Sequence, residues 1–155
     1  MIDAKVPDGL PKWMLDHIDV YKKSGGKEGH MYTIQPGTPN AITVPALLLA
    51  TKGRKSGEKY LFPLFYGETG NSYFVIASKG GAPDHPGWYK NMLVHPDVEI
   101  QVGEKTVKAK ARTVPAGAER DKLWKQAVGF FPPYADYQKK VPDRLIPIVM
   151  LDPVH

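Results

Sequence analysis

Residues 51–91 read TKGRKSGEKYLFPLFYGETGNSYFVIASKGGAPDHPGWYKN and decide the fold. Residues 60–66 and 72–78 are apolar segments of the kind that form strands, and the intervening GETGN predicts a hairpin between them. A basic, glycine-containing turn lies at each outer end of this pair. The stretch therefore predicts neighbouring antiparallel strands with a glycine turn on either side.

The first glycine turn comprises residues 52–59, and Gly53 and Gly57 allow it the positive φ angles of a tight hairpin. The cations in and beside it are Lys52, Arg54, Lys55 and Lys59. Basic residues in a hairpin turn are usually solvated and have no further role. This turn alone would not indicate a binding site.

The second glycine turn comprises residues 78–81, with the sequence SKGG. Successive backbone N–H groups in such a turn, together with a nearby cation, suit a phosphate or a carboxylate. A cluster of aromatic residues follows downstream in FFPPYADYQKK, residues 130–140. Two basic turns combined with aromatic rings indicate a ligand that is anionic at one end and flat at the other.

The remaining pattern predicts helices at residues 11–23, 86–94 and 116–130, and a short helix that carries Tyr134 and Tyr137. Residues 27–40 are predicted to be an irregular connection. Further strands are predicted at 42–50, in a hairpin over 97–102 and 106–114, and at 145–151. Hairpin-joined strands with interspersed helices favour an antiparallel α+β domain whose sheet curls into a barrel.

Composition limits the classes of function. The 155 residues suit one domain, and a net charge of +5 with a pI near 9.3 favours anionic partners. The absence of cysteine excludes disulfides and thiolate chemistry, and the five histidines show no metal-ligand spacing, so we expect no metal. Nucleic acid is not expected as a partner, because the cations lie in turns without an aromatic platform. With no apolar run of transmembrane length and no signal-peptide order, we expect a cytoplasmic protein.

Four stretches, LLLATKGRKSGEKYLFPLFY, VIASKGGAPDHPGWYKN, FPPYADYQKK and RLIPIVMLDP, resemble the deazaflavin-dependent nitroreductase family of actinobacteria. Its members are split-β-barrel reductases that use coenzyme F420. The resemblance implies a mainly antiparallel split β-barrel with flanking helices. It divides the single domain, residues 1–155, into an N-terminal helix and loop over 1–41 and a deazaflavin-binding barrel over 42–155.

The resemblance also implies an activity: hydride transfer from reduced F420 to a quinone-like or nitroaromatic electrophile. The implied cofactor-binding residues are Arg54, Lys55, Ser56, Lys59, Pro63, Phe65, Ser78, Lys79, Gly80 and Trp88. The implied substrate-binding residues are Phe131, Tyr134 and Tyr137, and the implied catalytic groups are Tyr134, Tyr137 and Ser78. FMN is an alternative cofactor, since split barrels also bind it.

Phe65 and Phe131 depart from the family pattern, because members often carry tyrosine at those two positions. Two hydroxyls that could bond a nitro or quinone oxygen are therefore missing, which places nitroimidazole reduction in question. A quinone such as menaquinone would suit a helix at residues 11–23 that touches a membrane surface. A non-catalytic carrier of F420 or of a lipid-like ligand remains an alternative function, and monomer and homodimer both remain open.

Overall fold

Four helices and seven strands form between residues 2 and 154, the part of the chain that the computed structural model describes; Met1 and His155 lie outside it. The helices are α1 (Lys12–Lys23), α2 (Gly87–Val94), α3 (Ala118–Phe130) and α4 (Pro133–Lys140). The strands are β1 (Met31–Ile34), β2 (Ile42–Lys52), β3 (Lys59–Thr69), β4 (Ser72–Ile76), β5 (Asp97–Val102), β6 (Lys105–Thr113) and β7 (Ile148–Pro153).

Six strands close into an antiparallel barrel in the order β2, β3, β4, β7, β6 and β5. The barrel closes because β2 pairs with β5 through residues 47–50 as well as with β3 along its other edge. The first part of β2 pairs instead with β1, which extends the sheet beyond the barrel. The predicted antiparallel barrel with flanking helices is confirmed.

The middle of β2, residues 46–50, is wholly apolar because it is buried on both faces. Leu47 and Leu49 belong to the core cluster inside the barrel. Leu48 and Ala50 point the other way and pack with Ile18 of α1. Helix α1 therefore covers the outer face of β2. Because both faces of β2 are buried there, its residues do not alternate between apolar and polar.

The hairpin of β5 and β6 shows the opposite pattern. Val98 and Ile100 of β5 enter the barrel core, whereas Lys108 and Lys110 of β6 are exposed on the outer face. The strands thus keep the alternation predicted from their sequence, with one face in the core and the other toward solvent. Among residues 2–154, no helix has both the length and the apolar character needed to cross a membrane.

Two segments differ from the sequence-based prediction. Strand β1 lies inside residues 27–40, which were predicted to be irregular, and it forms because β2 offers an unpaired edge. The last strand begins at Ile148 rather than at residue 145. Residues 144–147 instead form a loop, in which Arg144 and Ile146 are held by hydrogen bonds to side chains and to the second glycine turn.

Candidate functional site

A cavity of about 610 Å³ opens between β3, the second glycine turn, α2, α4 and the segment formed by α1 and β1. Nine residues predicted for the site line this cavity. They are Pro63, Phe65, Ser78, Lys79, Gly80, Trp88, Phe131, Tyr134 and Tyr137. The structure therefore brings together the predicted ring-binding and substrate-side residues, although they are separated by as much as half of the chain.

The aromatic residues on the substrate side form one contiguous group. Tyr134 and Tyr137 are three residues apart on α4, so both rings lie on the same face of that helix. The Phe131 ring packs against the rings of Tyr134 and Phe65, with centroid distances of 4.8 Å and 5.2 Å. The rings are tilted by 68° and 54° in these two pairs, and together they give the cavity an apolar aromatic wall on which a planar ligand can pack.

Four hydroxyls on the cavity wall have no hydrogen-bond partner among residues 2–154: those of Tyr32, Ser78, Tyr134 and Tyr137. Burial raises the pKa of Tyr134, and the neighbouring Tyr137 raises it further. Burial likewise raises the pKa of Tyr137. Both phenols therefore stay protonated at neutral pH and are available as donors to a ligand.

The second glycine turn has an unusual backbone. Lys79, Gly80 and Gly81 have consecutive φ angles of 49°, 63° and 80°. Lys79 is thus a non-glycine residue in the left-handed region, a strained conformation that often occurs at binding sites. Its ammonium is the one fixed charge among the described residues that line the cavity, and no carboxylate lies beside it there.

The first glycine turn does not line this cavity but is attached to α2. Asn91 Oδ1 accepts hydrogen bonds from the Arg54 backbone N–H at 3.2 Å and from Arg54 Nη1 at 2.8 Å. Asn91 Nδ2 donates to Thr51 Oγ1 at 3.3 Å. The predicted Lys55 and Ser56 are exposed at the tip of the turn, outside the large cavity.

A smaller cavity of about 240 Å³ lies between the large cavity and the base of the first glycine turn. It shares Phe62 and Trp88 with the large cavity, and its wall includes Thr51 and Asn91, the residues that anchor the first glycine turn. An extended ligand could therefore run from the aromatic wall past Trp88 to the cations of the first turn.

Lys59, the fourth cation of the first turn, lies at the start of β3 and forms an ion pair with Glu99 of β5. Its charge is therefore compensated within the protein. Unlike Lys55 at the tip of the turn, Lys59 would have to exchange this partner to bind an anion.

Sequence reasoning missed the wall that α1 and β1 provide. This wall comprises Trp13, Met14, His17, Tyr32, Thr33, Ile34, Gln35 and Pro36. The spacing of Trp13, His17 and Tyr21 along one side of the helix was an available signal for the α1 residues. The β1 residues had no such signal, because their segment is polar and rich in glycine and proline.

His17 is the most deeply buried polar residue of this wall. The carbonyl oxygen of Gly29 lies 2.8 Å from Nε2, which must therefore carry the proton, and Nδ1 is buried without a partner among the described residues. Burial lowers the pKa of His17. Its ring stacks on that of Tyr32 at a centroid distance of 4.3 Å, so the neutral imidazole forms part of the cavity wall.

The cavity and the chain between residues 2 and 154 offer no cluster of three or more histidine or acidic side chains that could hold a metal ion. The donor set instead consists of hydroxyls, backbone groups of a glycine turn, one lysine and aromatic rings. This set fits an organic ligand with a planar ring and an anionic tail.

Comparisons with known proteins point in the same direction. Residues 13–153 match the family described as F420H(2)-dependent quinone reductase. A Mycobacterium tuberculosis protein described as an F420H(2)-dependent quinone reductase is 37% identical over 154 residues, covering 92% of this chain and 97% of that protein.

Solved structures extend the match to the fold. A structure described as an F420-H2 dependent reductase, FDR-A, is 45% identical with a TM-score of 0.64 and covers 70% of this chain and 94% of its own. A structure described as a domain-swapped dimer is 37% identical with a TM-score of 0.66, covering 90% and 97% of the two chains. A heme storage protein from Vibrio cholerae, 20% identical with a TM-score of 0.53, shares the fold alone; it covers 71% of this chain and 82% of its own.

Proposed function

This chain belongs to the F420H(2)-dependent quinone reductase family, and from that premise we propose that it is an oxidoreductase that reduces a quinone with reduced coenzyme F420. The observation that carries the proposal is the pair of neighbouring cavities on either side of Phe62 and Trp88. One has an aromatic wall and a lysine on a glycine turn, and the other leads toward the cations of the first turn. A planar ring with a polyanionic tail requires both features.

On this proposal the two glycine turns bind different parts of the cofactor. Ser78, Lys79 and Gly80 hold the ring end and the adjacent phosphate, while Arg54, Lys55 and Ser56 attract the distal anionic tail. Pro63, Phe65 and Trp88 bound the ring pocket, and Lys59 extends the basic surface. The bound deazaflavin supplies the hydride, and the protein supplies orientation and electrostatics.

Quinone reduction requires one hydride and one proton for each quinol formed, and the oxygen that gains charge needs a hydrogen-bond donor. The hydroxyls of Tyr134, Tyr137 and Ser78 are suited to this role, because they have no partner among residues 2–154 and the phenols remain protonated. Phe131 contributes packing against the ring of the acceptor. We assign the three hydroxyls as donors to the substrate or to the developing oxyanion.

A quinone is favoured over a nitroaromatic as the acceptor. Phe65 and Phe131 form an apolar section of the wall, which offers a nitro group no donor at those two positions. Trp13 lines the cavity and is also 45% exposed, so this edge of the cavity opens toward solvent beside α1. The exposed Val20 lies on the same side of α1, and Lys22 and Lys23 end the helix. These features support menaquinone as the acceptor and a membrane contact through residues 11–23.

The first test is a fluorescence titration of the protein with F420 at low and high salt, with FMN in parallel, followed by anaerobic mixing of the F420H2-loaded protein with menadione. We expect salt-sensitive F420 binding, no FMN binding, and oxidation of F420H2 in a single turnover. Binding of FMN alone would indicate an FMN-dependent reductase. F420 binding without oxidation by any quinone would indicate a carrier.

The role of Tyr134 is tested in the same assay with Tyr134→Phe, which we expect to lower the rate of menadione reduction about tenfold or more while leaving F420 affinity unchanged. Tyr73→Phe is the matched control, since Tyr73 lies on β4 and does not line the cavity. Equal rates in the two variants would exclude Tyr134 as a donor.

The membrane contact is tested with menaquinone in lipid vesicles in place of menadione. We expect faster reduction of menaquinone in anionic vesicles than in neutral vesicles.

A further inference from the structure

Arg144 lies in the loop between α4 and β7, directly behind the second glycine turn. Its Nη2 donates to the carbonyl oxygens of Ser78 and Ala82, both at 2.8 Å, and its Nε also donates to Ala82 at 3.1 Å. Its Nη1 donates to the Ala77 carbonyl oxygen at 3.2 Å and lies 2.9 Å from Nδ1 of His85. Every nitrogen of the guanidinium is therefore engaged by residues 77–85.

No carboxylate among the described residues lies within ion-pair distance of Arg144. Its charge is compensated by carbonyl dipoles, by an imidazole and, at longer range, by Asp84. The carbonyl groups on both sides of the turn point at the guanidinium. The side chain of Ser78 and the residues Lys79 and Gly80 face the cavity instead. The guanidinium thus orients the backbone so that the opposite surface of the turn is presented to a ligand.

The turn is held from its other side by α4. A Cβ atom at Gly81 would lie 2.9 Å from the carbonyl oxygen of Tyr137, so the backbones are in direct contact. Gln138, the next residue of α4, donates from Nε2 to the Arg144 carbonyl oxygen at 2.9 Å, and its Oε1 accepts the Ile146 N–H at 2.9 Å. Arg144 is therefore itself held in place by the helix that carries the substrate-side tyrosines.

His85 completes the arrangement only in its neutral form. Because Arg144 Nη1 is a donor, Nδ1 of His85 must be an unprotonated acceptor. Burial lowers the pKa of His85, and the charge of Arg144 lowers it further. Of the other charged groups nearby, Asp84 opposes this shift and Lys90 reinforces it, while the Tyr89 ring packs 5.0 Å from the imidazole.

We propose that Arg144, with neutral His85 as its acceptor, is a positioning residue that holds the second glycine turn in its ligand-binding conformation, and that protonation of His85 releases this hold. A proton on Nδ1 would turn the acceptor into a donor and place a second positive charge beside the guanidinium. The fraction of molecules with a competent turn would then fall, and the apparent dissociation constant for F420 would rise in inverse proportion.

The first experiment needs no ligand and therefore stands even if the proposed function, on which the choice of F420 rests, is wrong. Amide hydrogen exchange of residues 77–82 is compared at one pH in the wild type, in Arg144→Gln and in Arg120→Gln. Arg120 is the control, because it is an arginine that likewise donates a hydrogen bond to a backbone carbonyl, that of Ile146, and it is more deeply buried than Arg144.

We expect Arg144→Gln to accelerate exchange in residues 77–82 about tenfold or more relative to the barrel strands. Arg120→Gln should accelerate exchange in residues 77–82 and in the barrel strands alike, to the extent that it lowers global stability. Protection of residues 77–82 that is unchanged by Arg144→Gln, or lost equally in both variants, would overturn the proposal.

The second experiment measures the dissociation constant for F420 from about pH 7.5 down to about pH 5, because the lowered pKa of His85 places its protonation in the folded protein below the ordinary histidine value. His85→Gln keeps a neutral acceptor, and His85→Lys imitates the protonated state. We expect the wild type to lose several-fold more affinity on acidification than His85→Gln, and His85→Lys to bind weakly over the whole pH range. Titration of the ligand itself affects all forms alike. Parallel pH profiles of the wild type and His85→Gln would refute the role of His85.

Discussion

The two glycine turns have similar sequences and opposite surroundings. The first, between β2 and β3, has Lys52 and Lys55 exposed to solvent and is attached to the rest of the protein by the bonds between Arg54 and Asn91 and by the ion pair between Lys5 and Glu58. The second lies between the Arg144 guanidinium and α4, with Ser78 buried and three successive residues at positive φ. A basic glycine motif therefore does not reveal by itself whether it forms a rigid binding surface or a solvated one.

This difference determines how each turn can attract an anion. Charges in solvent act at high dielectric, are screened by salt, and contribute little per contact. Lys79 is also exposed, but it projects from a fixed backbone onto the wall of a cavity, and a ligand that fills this cavity would displace water and strengthen the interaction. The second turn should therefore provide specificity, and the first should provide long-range attraction.

The largest expected difference between the two turns is the loss of stability when a glycine is replaced by alanine. Gly81→Ala should lower the free energy of unfolding by about 3 kcal/mol, because the alanine would be strained in φ and also overpacked. The φ angle of Gly81 is +80°, and the new Cβ would lie 2.9 Å from the Tyr137 carbonyl oxygen. Gly57→Ala has a similar φ of +75° but only the flexible Lys52 side chain nearby, at 3.8 Å. It should cost about 1 kcal/mol.

Urea denaturation of both glycine variants measures this difference. Equal losses of stability would mean that the second turn is not clamped against α4. Gly80→Ala serves as a further control within the same turn, because its φ of +63° is strained but a Cβ atom there would meet nothing within 4 Å.

An intermediate effect is expected from the lysines. Lys79→Met should weaken F420 binding about tenfold, as expected for the loss of one charge-assisted contact. Lys55→Met should weaken it only about twofold to fivefold, because that lysine lies in solvent. Repeating both titrations in about 0.5 M salt should abolish most of the Lys55 effect and retain most of the Lys79 effect. A Lys79 effect that is equally sensitive to salt would contradict the distinction between the turns.

The smallest expected effect is the pH response of stability. The pKa of His85 is lowered in the folded protein, so the unfolded chain binds the extra proton more readily as the pH falls below about 6.5. The stabilising contribution of neutral His85 is therefore complete above the ordinary histidine pKa and is lost as the pH falls through the folded pKa. At the first turn, Lys5 lowers the pKa of Glu58. The stabilisation that ionised Glu58 provides is therefore lost only in more acidic solution, as the pH falls through this lowered pKa.

Between about pH 7.5 and 5.5 we therefore expect a fall in Tm of about 2 to 4 °C, part of which His85→Gln removes. His17, whose pKa is also lowered by burial, accounts for the remainder. Lys5→Met removes the ion pair at the first turn and should leave the slope over this pH range unchanged. An unaltered slope in His85→Gln would show that the second turn does not respond to pH.

Much of the fold was predictable because its signals are local. The alternation in residues 97–102, the hairpin around GETGN and the helices at residues 12–23 and 118–130 all follow from neighbouring residues, and the structure contains each of them. Strand β1 was missed because its polar sequence becomes a strand only beside the free edge of β2. Strand β7 begins later than predicted because Arg144 and Ile146 form hydrogen bonds with Ser78 and Gln138 instead of pairing within the sheet.

The candidate site divides in the same way. The glycine turns, the lysines and the tyrosines of α4 were recognisable as motifs. The second turn with Lys79 and the two tyrosines line one cavity, whereas the first turn and its lysines lie outside it. His17 and Tyr32 were not recognised, because each becomes part of the wall only when α1 and β1 fold over β2. Likewise, nothing adjacent to Arg144 in the chain indicates that it bonds to carbonyl groups more than sixty residues away.

The sequence by itself determined the antiparallel barrel, the two basic glycine turns, the aromatic group and the kinship with F420-dependent reductases, since periodicity and short motifs are properties of adjacent residues. Only the tertiary structure decided which turn is solvated and which is clamped, which wall closes the cavity and which arginine holds the ligand-facing backbone. Those properties depend on burial and on hydrogen bonds between distant segments, and both arise only when the chain packs.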